Sequence, residues 1–351
     1  MNKAVELLYN MVNTYSPSRQ ENRVAAYLVN FMHANGFTDA YRDAIGNVIG
    51  EIGSGEKTLL VCGHIDTVPG QLPVKIQDNK LYGRGSVDAK GSLASLVMGA
   101  LEAQPLTSLK VVVLGTVEEE LDGIGVHSFL QHYRDKVDYI IVGEPNQWDR
   151  INVGYKGNIS IDYDLVKPIT HTAFPEPTAI EEALVFSNLL RRWAKDFNVG
   201  KEKAFEQLHF SIRSINSASD GLHETIQFGM NFRTPLDFEF SDLKQFIAEN
   251  QNGATVYYHG QEQAIRSDKS NELVRAYLQA IRNEGSVPRF VVKTGTSDMN
   301  ALGAHFKGVP IVTYGPGDSG LDHTPGEHLP LDEYEKAISV IRAVIQQLAQ
   351  T

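Results

Sequence analysis

Histidine and carboxylate side chains recur in this chain where apolar runs end. They are His64 and Asp66 in Gly-His-Ile-Asp, Asp88 in Gly-Arg-Gly-Ser-Val-Asp-Ala-Lys-Gly, Glu119 and Glu120 in Val-Glu-Glu-Glu, Glu144 in Val-Gly-Glu-Pro, and His323 in Asp-His-Thr-Pro-Gly-Glu. Imidazole and carboxylate donors suit a pair of divalent cations, and two cations suit the hydrolysis of an amide by water. Each fragment alone also has a plainer reading. His64 can cap or pack, Asp88 can cap a helix, and an acidic triplet can be a solvated loop.

The surrounding elements favour the chemical reading. Thr58-Leu59-Leu60-Val61-Cys62 is an apolar run bounded by glycine, which predicts a buried strand. Beyond its end, residues i and i+2 share a face, so Asp66 can orient the His64 ring. Leu109 to Thr116 is a second strand ending in Glu118-Glu119-Glu120, and adjacent carboxylates repel unless cations or solvent neutralise them. Asp138 to Val142 is a third, followed by Glu144. Asp88 precedes an apolar helix beginning at Gly91, where a helix N-terminus favours a carboxylate. Three strands therefore deliver a histidine or an acid at their C-terminal ends, the edge where open α/β sheets bind ligands.

With these residues in order, the chain resembles the M20 family of dinuclear zinc peptidases and deacylases over nearly its whole length. That family includes acetylornithine deacetylase, succinyl-diaminopimelate desuccinylase and glutamate carboxypeptidases. The resemblance implies two Zn²⁺ ions, with Co²⁺ or Mn²⁺ as alternatives, held by His64, Asp88, Glu120, Glu144 and His323. It implies that Asp88 bridges, that His64 and Glu144 hold different metals, and that Glu120 is the ligand beside His323. Glu119 would be the general base and Asp66 would sit behind His64; Glu118 receives no role. Tyr15-Ser16-Pro17-Ser18, Gly63 to Gly70, Val87 to Gly91, Val117 to Glu120 and Lys293 to Asn300 resemble the branch that releases lysine or ornithine from an amino-group carrier protein. That implies a small acidic protein as substrate, in lysine or arginine biosynthesis.

Composition sets limits. A chain of 351 residues with 42% hydrophobic content has enough apolar side chains for a sizeable core. No apolar stretch has the length of a membrane span, and Met1 to Leu8 reads as an amphipathic helix, not a signal peptide. One cysteine excludes an intramolecular disulfide and favours the cytoplasm; Cys62 reads as a small core residue. A formal charge of −11 argues against nucleic-acid binding and requires a local basic patch for an acidic carrier. Arg84, Lys90, Lys156 and Lys293 are candidates for it, or ordinary surface charges.

Organisation changes past Glu144. Before it, strands alternate with helical stretches such as Arg23 to Asn35 and Gly91 to Ala103, an α/β pattern with a mainly parallel sheet. From about Gly157 to Gln263 the order becomes β-α-β-β-α-β, the ferredoxin-like unit. The expected division is a discontinuous catalytic domain, 1–156 plus 265–351, interrupted by a lid domain over 157–264. The resemblance implies that this lid also forms a homodimer. His171, in Ile-Thr-His-Thr-Ala-Phe-Pro, matches the family's lid histidine, which donates to the substrate carbonyl oxygen, often from the partner subunit. Arg233 is a candidate clamp for a substrate carboxylate or a strand-end arginine. Thr296, Ser297 and the Gly315-Pro316-Gly317 turn either line a product pocket or serve the backbone.

Other chemistries fit less well. Gly317-Asp318-Ser319-Gly320 echoes a trypsin-like nucleophile, but that fold is all-β. No His-Glu-x-x-His and no phosphate-binding Gly-x-x-x-x-Gly-Lys-Ser/Thr occurs. A non-catalytic metal-binding regulator would be expected to have lost a ligand or the base, and all are present. Among enzymes, a free N-acyl-amino-acid deacylase or a metallo-carboxypeptidase is the rival.

Overall fold

A computed structural model describes residues 2–350. Met1, which opens the expected amphipathic helix and domain, and Thr351, which closes the domain, lie outside the described residues. The chain divides into two compact units. One comprises Met1–Gly154, Arg266–Val292 and Ser297–Thr351; the other comprises Tyr155–Ile265 and Lys293–Thr296.

The first unit is built on a mixed sheet. Its strands follow the spatial order Asp39–Arg42, Val48–Ser54, Leu109–Thr116, Lys57–His64, Tyr139–Val142, Ile311–Thr313 and Arg150–Tyr155. The central four run parallel. Parallel strands are covered on both faces, so they read as continuous apolar runs, and Leu59 to Cys62 and Val111 to Leu114 are all fully buried. The register sets His64 against Thr116 and Cys62 against Val142. The three strands therefore end side by side, and the residues that follow them emerge at one edge.

Helices complete the core. The helix Lys3–Asn13 buries Leu7, Leu8 and Met11, with Asn2 capping it through the Val5 amide at 2.9 Å. The helix Lys90–Glu102 is buried over its first eleven residues, as its apolar sequence requires. Two antiparallel strands, Asp39–Arg42 and Val48–Ser54, were not foreseen. The second contains Gly50, where an added Cβ would lie 2.4 Å from Met32 Sδ. The glycine that weakens the strand pattern makes room for the covering helix Asn22–Ala34.

The second unit runs strand Gly157–Pro168, helix Ala179–Phe197, strands His209–Ser219 and His223–Thr234, helix Phe240–Asn250 and strand Thr255–Glu262. The strands form one antiparallel sheet with Gly157–Pro168 and His223–Thr234 at its centre. Ile159, Ile161, Tyr163 and Leu165 alternate inward and pack with Phe186 and Leu190 of the first helix. Thr178 and Glu181 close a capping box at that helix's start. The chain is thus α/β with a mostly parallel central sheet and an additional antiparallel sheet.

Three of the proposed docking cations are withdrawn from the surface. Arg84, Lys90 and Lys156 are buried. Lys156 Nζ donates to the carbonyls of Ala204, at 3.0 Å, and Gln207. Burial, with Arg233 and Lys201 nearby, lowers its pKa to about 8 from 10.5. Below pH 8 the folded state carries the full penalty of the buried charge. Between pH 8 and 10.5 the unfolded chain binds more protons, so stability rises with pH through that window. Wild type should gain stability relative to Lys156→Met across this range in denaturant titrations, by up to about 1.4 kcal/mol per pKa unit. A difference independent of pH would refute the assignment.

Candidate metal centre

His64 is the last residue of its strand and is 1% exposed. Its Nδ1 lies 3.0 Å from the Asp66 carbonyl oxygen and 3.4 Å from Asp66 Oδ1. A proton donated there leaves Nε2 facing Asp88 Oδ1 at 3.2 Å. The other oxygen of Asp88 meets His323 Nε2 at 2.9 Å, and that nitrogen also lies 3.0 Å from Glu120 Oε1. Asp88 is thereby shared between two histidines on opposite oxygens. It is not a helix cap: the helix begins at Lys90 and no side chain caps it.

Asp66 is fully buried and organises both sides of the centre. It accepts Ser18 Oγ at 2.7 Å and the amides of Glu119 and Glu120, each at 3.2 Å. One carboxylate orients the His64 ring and fixes the backbone of the acidic pair. Glu118 adopts the left-handed region with φ 53°, as does His323 with φ 61°. Non-glycine residues held there are costly and cluster at functional sites. Arg19 reaches Glu118 at 3.0 Å, so the first carboxylate of the triplet turns to an ion pair outside the cluster.

The electrostatics show a surplus of negative charge. Burial, with the charges of Glu144, Asp298 and Glu120, holds Glu119 well above the usual carboxylate range despite His64. Burial and Asp88 raise Glu120. Burial opposes ionisation of Asp88, but hydrogen bonds from His323 and His64 outweigh it and hold Asp88 low. The Asp88 contact raises His323 to about 9. Burial alone would lower His64, yet Asp66, Asp88 and Glu119 hold it well above its ordinary value. A cation relieves such crowding. His64, Asp88 and Glu120 each offer a ligand atom, and these atoms lie within 4.8 Å of one another. The donor set fits a divalent metal of the zinc, cobalt or manganese type.

Supporting contacts explain other motif residues. Glu144 follows the strand Tyr139–Val142, and Gly143 donates its amide to the Cys62 carbonyl at 2.6 Å. Gly315 presses on this segment: an added Cβ would come 2.2 Å from Ser92 Oγ and 2.8 Å from the Glu144 carbonyl oxygen. Asn146 N also bonds the Gly315 carbonyl at 3.0 Å. Ser297 caps the helix Asp298–His305, with Asn300 completing a capping box. In the second unit, Arg233 Nη1 donates to Thr296 Oγ1 at 2.8 Å. His171 is exposed there, and its Nδ1 accepts the Ala173 amide at 3.1 Å. Its other nitrogen is thus the donor in the neutral ring.

Sequence reasoning assigned no role to Ser16, Ser18 or Glu21. Ser16 Oγ donates to the Ile65 carbonyl at 2.7 Å, and Glu21 Oε1 accepts the amides of Arg19 and Glu118 at 2.9 and 3.2 Å. Their partners lie 48 to 97 positions away, apart from Arg19, so no local pattern marks them.

The family model for peptidase family M20/M25/M40 matches residues 60–347. The chain belongs to this family. A [LysW]-lysine hydrolase of Deinococcus radiodurans is 36% identical over 98% of this chain and 97% of its own length. A putative [LysW]-lysine/[LysW]-ornithine hydrolase of Thermococcus kodakarensis is 35% identical over 98% of this chain and 92% of its own. The M20 family metallo-carboxypeptidase Sso-CP2 of Sulfolobus solfataricus shares the fold, with TM-score 0.82 and full coverage of both chains at 17% identity. This M20 chain therefore has an M20 fold and near full-length relatives named as [LysW]-lysine or [LysW]-lysine/[LysW]-ornithine hydrolases.

Proposed function

We propose that this chain is a metal-dependent amide hydrolase that releases lysine, ornithine or both from the C-terminal glutamyl group of an amino-group carrier protein. The observation that carries this reading is near full-length similarity, at 30–36% identity, to relatives whose names state LysW-linked lysine or ornithine as substrate. The convergence of the His64, Asp88 and Glu120 donor atoms supports it. The unit spanning residues 1–154, 266–292 and 297–351 is assigned as the catalytic domain and the other as lid and dimerisation domain. A cytoplasmic homodimer is the expected form. No helix among the described residues is long and apolar enough to cross a membrane.

His64, Asp88, Glu120, Glu144 and His323 are assigned as the residues that would hold two metal ions. When bound, the metals supply polarisation of the scissile carbonyl and a lowered pKa for the attacking water. Asp66 keeps the His64 ring in one tautomer and the Glu119–Glu120 backbone in place. Glu119 takes the proton of the attacking water and returns it to the leaving amine. His171 donates Nε2–H to the developing oxyanion. Arg233 and Thr296 are assigned to substrate binding, with Ser297 and Gly315 shaping the backbone around the product.

The test is amino-acid release by protein loaded with Zn²⁺ or Co²⁺. Carrier protein ending in glutamyl-lysine or glutamyl-ornithine is compared with free N-acetylornithine, N-acetyllysine and succinyl-diaminopimelate. A strong preference for carrier-linked substrate is expected. Preference for a free acyl-amino acid would refute the carrier reading and move the enzyme to the deacylase branch.

A further inference from the structure

Glu327 is a glutamate outside the ligand set that joins the two loops whose side chains meet at the centre. It is 1% exposed, and every contact of its carboxylate is internal. Oε2 accepts Arg84 Nη1 at 2.7 Å, and Oε1 accepts the amides of Val87 at 3.0 Å and Asp88 at 3.2 Å. Its own carbonyl accepts the Gly83 amide at 3.3 Å. Arg84, 7% exposed, extends the clasp to the carbonyls of Gly70 at 3.1 Å and Thr324 at 3.3 Å. Asp88 and His323 themselves touch at 2.9 Å.

A buried ion pair is weak grounds for stability, because desolvation offsets the attraction; it is a better means of fixing one geometry. Here the geometry is specific. The Asp88 amide is held by a carboxylate four residues beyond His323, so displacement of either loop moves both groups. His323 also sits in the left-handed region, a conformation that persists only when its surroundings enforce it.

We propose that Glu327 is a positioning residue that sets the register of Asp88 against His323 and thereby the metal affinity of the centre. The inference rests on the assignment of Asp88 and His323 as ligands. Outer partners of metal ligands are typically worth about 10–100-fold in affinity.

The test measures Zn²⁺ affinity by competition with a chromophoric chelator, and the visible absorption of the Co²⁺-loaded protein. Glu327→Gln turns an amide N–H₂ toward either Arg84 or the two backbone amides, and one set of contacts is lost. Glu327→Asp keeps the charge opposite Arg84 and withdraws from the amides, so it remains informative if the glutamine variant does not fold. Each folded variant should lose about 10–100-fold in Zn²⁺ affinity and show a shifted Co²⁺ band. A merely structural role would lower melting temperature while the folded fraction kept wild-type affinity and spectrum, and that result would overturn the inference. Failure of the wild-type protein to bind Zn²⁺ would overturn the ligand assignment itself, and the inference with it.

Discussion

Glu119→Gln should lower kcat by about 10²–10⁴-fold, the range for loss of a general base, while metal content stays at the wild-type level. Glutamine matches glutamate in shape but cannot take up the water's proton. The Glu119 amide would still donate to Asp66 at 3.2 Å, so the backbone stays in place. Glu119 is also outside the cluster of His64, Asp88 and Glu120 whose donor atoms converge. Its pKa is held well above that of an ordinary carboxyl by burial and by Glu144, Asp298 and Glu120. A carboxyl raised by burial and neighbouring charges is a candidate general base. Steady-state kinetics with metal analysis on the same sample check this. Near wild-type turnover would remove Glu119 from the base role, and a parallel loss of metal would make it a ligand instead.

What could be read from the chain alone depended on how local the cause is. The parallel strands were legible because burial on both faces demands unbroken apolar runs, as in Leu59 to Cys62 and Val111 to Leu114. Their terminal His64 and acidic pair were legible because a charged residue directly after such a run has few reasons to be there. The β-α-β-β-α-β unit was legible from alternating residues such as Ile159, Ile161 and Tyr163. The strand Val48–Ser54 was not, because Gly50 and Gly53 break its pattern for reasons of packing against Met32 and Leu106. The buried cations were misplaced for a related reason. Arg84, Lys90 and Lys156 look like surface charges until their partners are known. Glu327 lies 243 positions from Arg84, and Lys90 Nζ bonds the carbonyls of Met11 and Thr14, at 3.1 and 2.9 Å, 79 and 76 positions away. Composition and periodicity record burial and local conformation. They carry no record of which distant carbonyl will satisfy a buried ammonium.

Asp66 is a sensitive position behind the assigned ligands and base, because its carboxylate holds His64 and the Glu119–Glu120 backbone together. Asp66→Asn changes one oxygen to a donor at a site that offers only donors. Ser18 Oγ and the Glu120 amide point at Oδ2, and the Glu119 amide points at Oδ1. Whichever way the new amide turns, at least one backbone N–H of the acidic pair or the serine hydroxyl faces another N–H. A buried donor left unsatisfied costs about 1–3 kcal/mol, so the stability loss should lie in that range or above it. The ring of His64 loses the charge that orients it, and outer partners of this kind are worth about 10–100-fold in metal affinity or activity. Hydrogen bonds hold the Asp66 carboxyl below its ordinary pKa against the cost of burial, His64 and Ser18 contributing most. That depressed pKa contributes stability present above the unfolded value and lost as pH falls through the folded one. The asparagine variant should therefore be destabilised most near neutral pH and differ least from wild type in acid. Chemical denaturation of metal-free protein from neutral to acid pH, beside Zn²⁺ titration, separates the two effects. A variant with wild-type Zn²⁺ affinity would show that His64 and the Glu119–Glu120 backbone hold their places without Asp66.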